Sequence, residues 1–577
     1  MTPSFHLGAL RRGLLRAHAF SAFWLAAITM ALWVGSARAD KGDIGPWGDQ
    51  GDGTYKNPII PADYSDPDPI RVGQDYYMVS STFQFAPGVV VLHSRDLVNW
   101  STIGYAFSDV SVLGPKFNWT SMSNYNEGVY APSIRYHAGK FWVFVNCHIG
   151  EGFWMSTATN PAGPWTPRQL VDKNGVALRT DGWTDVCPLW DDDGKAYLAT
   201  AAQQSLWLFQ MKPDGTQLLD CDIKNPVGMG GTRMWPYANT EGNKLYKWNG
   251  LYHLFNVDFV GHGPLGKGCY WKRSKNLYGT KPDGTPGKPG DPGTYDYIRI
   301  GDDSLPTQGG FVDTPEGKWY FIAQFNAINA GGRYPYLLPA TWLNGWLRPG
   351  AQIGPDVTKV GQMVWSGPKP VPGFPVAFPQ GSDEFNLPTL NPQWQWNYQP
   401  RAGYWSLTDR PGFLRLKAFK PLQPGNFFKA GNTILQRYVK ADTVRAEIKV
   451  DITHMTDGEQ AGLAHFNGGK HYVTIGVAQA GSAQTLQCND NGKVTAGPAI
   501  TSSTVYFRTD VDVNNVANFS YSLDGRTYLP LGESFKLVQG GYRGDCIGIF
   551  NYNDKGESGW IDVDWFHYTY NGPLGNH

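Results

Sequence analysis

At 577 residues the chain is too long for one ordinary domain and implies about two to four. Lysine plus arginine and aspartate plus glutamate balance at 49 each, so no basic excess exists to drive counterion release, which excludes a nucleic-acid or other polyanion partner. Charged residues make up only 17% against 14% aromatics and 70 glycines, a composition of short strands, β cores and sugar-stacking surfaces and not of long helices.

The N-terminus has the layout of an export leader. Arg11, Arg12 and Arg16 precede the apolar run Ala19–Val34, and Ala37-Arg38-Ala39 offers a small-x-small cleavage site. The run is short of the ~20 residues that span a bilayer comfortably. Residues 1–39 are therefore read as a signal peptide, with no membrane segment in the mature form and a periplasmic or extracellular destination. The order around Arg11-Arg12 weakly resembles a twin-arginine signal, and Sec export is the simpler reading. Without the leader, 45 basic residues face 49 acidic ones. Export permits disulfides among Cys147, Cys187, Cys221, Cys269, Cys488 and Cys546, with Cys488–Cys546 the leading pair because both lie near the C-terminus.

The mature chain opens on NPIIPADYSDPDPIRVG, residues 57–73, where Asp63, Asp66 and Asp68 precede an apolar strand. Proline after Asp66 and after Asp68 holds each acid in an extended backbone. A stiff, negatively charged strand entry suits a general base, and a solvated turn is the alternative.

A turn followed by an aromatic strand then recurs. Tyr77, Trp142, Tyr197, His253 and Tyr320 mark it, at intervals of 65, 55, 56 and 67 residues. Each marker follows a turn glycine and a short apolar strand, such as Cys187–Trp190 or Lys244–Trp248. Hairpin units at roughly constant spacing predict an all-β fold, a five-bladed β-propeller over residues 40–348. Residues 279–294, rich in Gly and Pro, read as a mobile surface loop in the fourth blade, at the rim of a pocket. Residues 349–382 hold seven prolines, the mark of a stiff extended linker. Residues 383–577 alternate in short strands and predict a β-sandwich.

These segments together resemble glycoside hydrolase family 43, the β-xylosidase and α-L-arabinofuranosidase group. The resemblance runs from the opening motif through YYMVSSTFQFAPGV, YAPSIRYHAGKFWVF, DVCPLWDDDGKAYL, TEGNKLYKWNGLYHLF, QGGFVDTPEGKWYF and GRYPYLLPATWLNGW. It extends over the sandwich, which looks like the concanavalin-like jelly roll of the xylosidase-type members. Singly these motifs are weak, and their shared order makes the match specific.

The resemblance implies an exo-acting, inverting hydrolase of xylo-oligosaccharides or arabinoxylan, with a non-catalytic sugar-binding propeller as the rival. It places the general base on Asp66, the general acid on Glu241, and the residue that orients the acid and tunes its pKa on Asp185. Asp68 competes for the base position. It places substrate contacts on Arg333, Phe83, Tyr130 and Gln308. A salt bridge is the alternative for Arg333 and a core position for Phe83. Tyr130 stands where Trp is usual, Asn243-Lys244 where Pro-His is common, and Thr307 where many relatives have His. No cofactor is needed for catalysis. Asp383 and Asp564 read first as ordinary strand-end carboxylates, with a structural calcium site as the alternative if the first and last sandwich strands pair. Trp394, Trp396 and Trp405 are read as core or interface residues of a sandwich that lends the pocket mouth a narrowing loop.

Overall fold

The computed structural model describes residues 47–573 apart from 124, 126, 148–150, 180–182, 203–204, 226–227, 238–239, 326–329 and 468. The leader lies outside the described residues. Five four-stranded antiparallel sheets follow one another along the chain. Their first strands are Asp68–Val72, Val129–His137, Thr184–Trp190, Thr240–Trp248 and Gln308–Asp313. Each first strand touches those of the two neighbouring blades, which closes a ring around an axis. Arg71 fastens the first blade to the fifth, donating to both carboxylate oxygens of Asp313 at 3.0 and 2.7 Å.

The turn glycines have a backbone reason. Gly73, Gly139, Gly194, Gly250 and Gly317 all sit in the left-handed region, at φ from 66 to 81°, where a side chain is strained. The Gly309-Gly310 pair is there for close approach instead. A Cβ on Gly309 would meet the Ile322 carbonyl oxygen at 1.9 Å, and one on Gly310 would meet Pro69 at 2.8 Å.

Antiparallel strands place the starts of the first strands, and the loops joining second to third strands, on one face of the ring. Turns between third and fourth strands fall on the other. Residues 279–294 join Gly268–Ser274 to Asp296–Gly301, the third and fourth strands of blade four. The expectation that this loop rims the pocket is thus corrected, because strand parity sends it to the opposite face. It also carries its own ladder, with Thr280 bridging Pro286 and Thr294.

The C-terminal region forms two antiparallel sheets of seven and eight strands. One apolar core runs without a break from Met78 and Val91 of the first blade to Ile448, Phe507 and Phe566 of the sandwich. Trp396 exchanges backbone hydrogen bonds with Ala86 of the propeller, at 2.6 and 3.0 Å. Trp394 is buried, and Trp405 packs on Trp396 at 5.2 Å between ring centroids. All three tryptophans are core or interface residues, as expected. The proline-rich linker is more than a wrapped connection. Its Ser366–Pro368 pairs with Thr54–Lys56, and buried Lys369 reaches Asp49 at 2.5 Å and Asp96 at 2.9 Å.

One further expectation is corrected. All six cysteines are free and buried. Cys488 and Cys546 lie on Ala483–Asp490 and Cys546–Asn553, with two strands of the same sheet between them. At about 4.8 Å per strand they stand roughly 14 Å apart, beyond disulfide reach. The first and last sandwich segments do pair, with Asp383 bridging Phe566. Both carboxylates are engaged by protein groups. Asp383 accepts from the Phe385 N–H, the Asn391 amide and the Trp394 indole. Asp564 sits where the ladder shifts register and pairs with Lys449 at 2.6 Å.

Candidate active site

A repeated backbone device builds the site. In blades two, three and four the first strand opens with a register shift, at Tyr130/Ser133, Thr184/Cys187 and Glu241/Lys244. The extra residue of a bulge bends the strand and re-aims its side chains. Ala131, Asp185 and Gly242 take positive φ there, at 37, 54 and 65°. In blade one Asp66 does the same at φ 56° just before its strand, in place of the extended backbone expected from its following proline. Left-handed backbone at a non-glycine residue costs of order 1–3 kcal/mol and concentrates at functional sites. The strain here turns carboxylates from separate blades toward one axial cavity.

That cavity measures about 360 Å³, a size for a small ligand and not for a polymer chain. It is lined by all seven residues expected of it: Asp66, Asp185, Glu241, Arg333, Phe83, Tyr130 and Gln308. Asp68 does not line the cavity. It is fully buried, pairs with Arg135 at 2.7 Å and Lys244 at 3.8 Å, and accepts from the Ile134 N–H. It ties the first strands of three blades together.

Four carboxylates line the cavity, Glu127 among them, and the three expected ones have unequal surroundings. Asp66 accepts from Arg333 through both terminal nitrogens, from Ser81 Oγ at 2.6 Å and from Gln324 Nε2 at 3.0 Å. Four donors thus converge on this one carboxylate. Asp185 is buried, and burial with the negative charge of Asp66 pushes its pKa up, while Lys244, Thr184 and the Gly242 N–H pull it back. Glu241 has fewer compensating donors. Gln308 Nε2 stands at 3.5 Å, and desolvation, then Asp185, then Asp66 push its pKa to about 7, with Arg333 opposing. Its carboxyl opens into the cavity, so water moderates that shift until a ligand fills the space. Hydrogen bonds link the ends of the site, since Gln324 Nε2 reaches both Asp66 and Gln308.

Phe83, Tyr130 and Tyr542 form an aromatic wall. Tyr130 meets Phe83 edge-on at 5.0 Å and Tyr542 at 6.0 Å, and Phe83 lies parallel to Tyr542 at 6.4 Å. Tyr542 comes from the sandwich and is 58% exposed. Sequence reasoning missed it, along with Glu127, Ser81 and Gln324. The available signal was Gly540-Gly541-Tyr542-Arg543-Gly544, a large aromatic flanked by glycines on an otherwise regular domain.

A carboxylate held by four donors and a carboxyl whose pKa is pushed up, facing a small axial pocket with an aromatic wall, are the equipment of an acid–base glycosidase. Residues 55–347 match the Glycosyl hydrolases family 43, and residues 382–569 match the Beta xylosidase C-terminal Concanavalin A-like domain. The chain belongs to glycosyl hydrolase family 43, a family of inverting glycosidases. It is 33% identical to a beta-xylosidase of Formosa agariphila, over 92% of this chain and 93% of the relative. It is 28% identical to a non-reducing end alpha-L-arabinofuranosidase of Bacteroides ovatus, over 89% and 94%. Among solved structures it is similar to a bifunctional GH43-CE protein of Bacteroides eggerthii, with a TM-score of 0.74 and 26% identity. That match covers 91% of this chain and 64% of the longer one.

Proposed function

We propose that the protein is an exported, exo-acting β-xylosidase that removes single xylose units from the non-reducing ends of xylo-oligosaccharides. The observation that carries this is the pairing of a four-donor carboxylate, Asp66, with a carboxyl pushed up to about 7, Glu241, in a cavity of about 360 Å³. Asp66 removes a proton from water, which attacks the anomeric carbon. Glu241 gives its proton to the departing glycosidic oxygen. Asp185 beside it keeps that proton in place by repulsion. Inversion follows because water and leaving group occupy opposite faces of the sugar.

Arg333 and Gln308 offer donors to ring hydroxyls, and the Phe83–Tyr130–Tyr542 wall offers a face for the sugar's C–H side. The small volume favours one terminal residue over an internal stretch of chain. The likeness to the Formosa enzyme supports xylose, and the leader motif supports export. The Bacteroides ovatus relative and the Tyr130 departure support an α-L-arabinofuranosidase as the second reading.

Incubation of the purified protein with an aryl β-D-xyloside and an aryl α-L-arabinofuranoside separates the readings. Faster release from the xyloside is expected. Faster release from the arabinofuranoside selects the second reading, and binding of both without release selects a sugar-binding propeller.

A further inference from the structure

Among the described residues Arg333 is the one cation lining the pocket, and the sandwich reaches its backbone through a group of buried contacts. Arg543 Nε donates to Asp63 Oδ2 at 2.7 Å, with both side chains almost fully buried. The other oxygen of Asp63 accepts from the Arg333 backbone N–H at 3.3 Å. Arg543 Nη1 donates to the Thr82 carbonyl at 2.8 Å, one residue before Phe83. Two glycines make the approach feasible. A Cβ on Gly332 would meet Asp63 at 2.5 Å, and one on Gly544 would meet the Gly331 backbone at 2.3 Å. The Asp545 N–H completes the clamp on the Ala330 carbonyl at 2.7 Å.

We propose that Asp63 and Arg543 are positioning residues for the reaction, through which the sandwich holds Arg333 in line with Asp66. This inference rests on the glycosidase reading above. Neither residue lines the cavity, and neither touches Asp66. Their effect passes through the 330–333 backbone, whose placement decides whether the guanidinium meets the carboxylate with both nitrogens. A misplacement of about 1 Å at such a site costs on the order of a hundredfold in rate. The sandwich is then part of the catalytic unit and not an appended module.

The test is a mutant cycle on the full chain. Removing one partner alone leaves a buried charge unpaired and destabilises, so the main variant is Asp63→Asn/Arg543→Gln, which replaces the ion pair by two amides. With its fold verified by calorimetry, kcat/KM on an aryl xyloside is expected to fall about a hundredfold. In an Arg333→Ala background the same double change is expected to cost less than about twofold, because coupled residues are non-additive. Arg543→Lys retains the charge and loses the fork, and is expected to lie between; it serves if the double variant does not fold. Wild-type activity in a folded variant, or losses that multiply in the Arg333→Ala background, overturns the inference while leaving the glycosidase reading intact. A wild type without turnover removes the reading itself.

Discussion

Arg333 grips the carboxylate of Asp66 with both terminal nitrogens, at 3.2 and 3.3 Å, across 267 residues of sequence. The forked geometry matters as much as the charge. Lysine at this position supplies one point charge and no fork. Arg333→Lys is expected to lower kcat/KM about a hundredfold, in the range of losing one preorganised donor, with little change in melting temperature. Steady-state kinetics check this, and an unchanged kcat/KM would remove Arg333 from the base's support.

Glu241 gives its proton only where the leaving group needs one. Glu241→Gln is expected to cost about 10³-fold in kcat on xylobiose. On a dinitrophenyl xyloside, whose leaving group departs as a stable anion, the expected loss is below about tenfold. Equal losses on the two substrates would take the general-acid role away from Glu241.

The pH profile follows from the same carboxyl. Burial first, and then the charges of Asp185 and Asp66, push Glu241 up to about 7. The protonated form is the active one, so kcat/KM should fall as pH rises through about 7. Asp185→Asn removes a negative neighbour, which favours ionised Glu241, lowers its pKa and moves the alkaline limb to lower pH. A limb that stays in place or moves upward in this variant contradicts the role given to Asp185.

Much of this was legible in the sequence, for definable reasons. The five turn glycines announced the blades because a left-handed hairpin position tolerates few other residues. Asp66 was legible in its proline-flanked strand entry, whereas Asp185 and Glu241 were legible only through the family resemblance, since nothing local marks Glu241, and Glu127 was not legible at all. Asp68 could not be separated from Asp66 by spacing. The distinction lies in Arg135 and Lys244, which arrive from blades two and four. Tyr542 and Arg543 were illegible as site residues because only the docking of two domains brings them to the pocket. The disulfide expectation failed because sequence proximity says nothing of sheet order. Parity along the fourth blade likewise sends residues 279–294 to the face away from the pocket.

The cysteines offer an independent check of the packing. All six are free and buried, so a thiol reagent is expected to label none in the native protein and six after denaturation. Dithiothreitol should leave the melting temperature unchanged. A shift of several degrees on reduction would reveal a disulfide and a different sandwich register.

The most direct measurement is the configuration of the sugar at the instant of release. Proton NMR of xylobiose hydrolysis, followed from the first minutes, reports the anomer before mutarotation mixes the two. A base at Asp66 activating water opposite an acid at Glu241 predicts that α-xylose appears first from the β-linked substrate. β-Xylose appearing first would mean retention through a covalent intermediate and would contradict the roles assigned to both carboxylates.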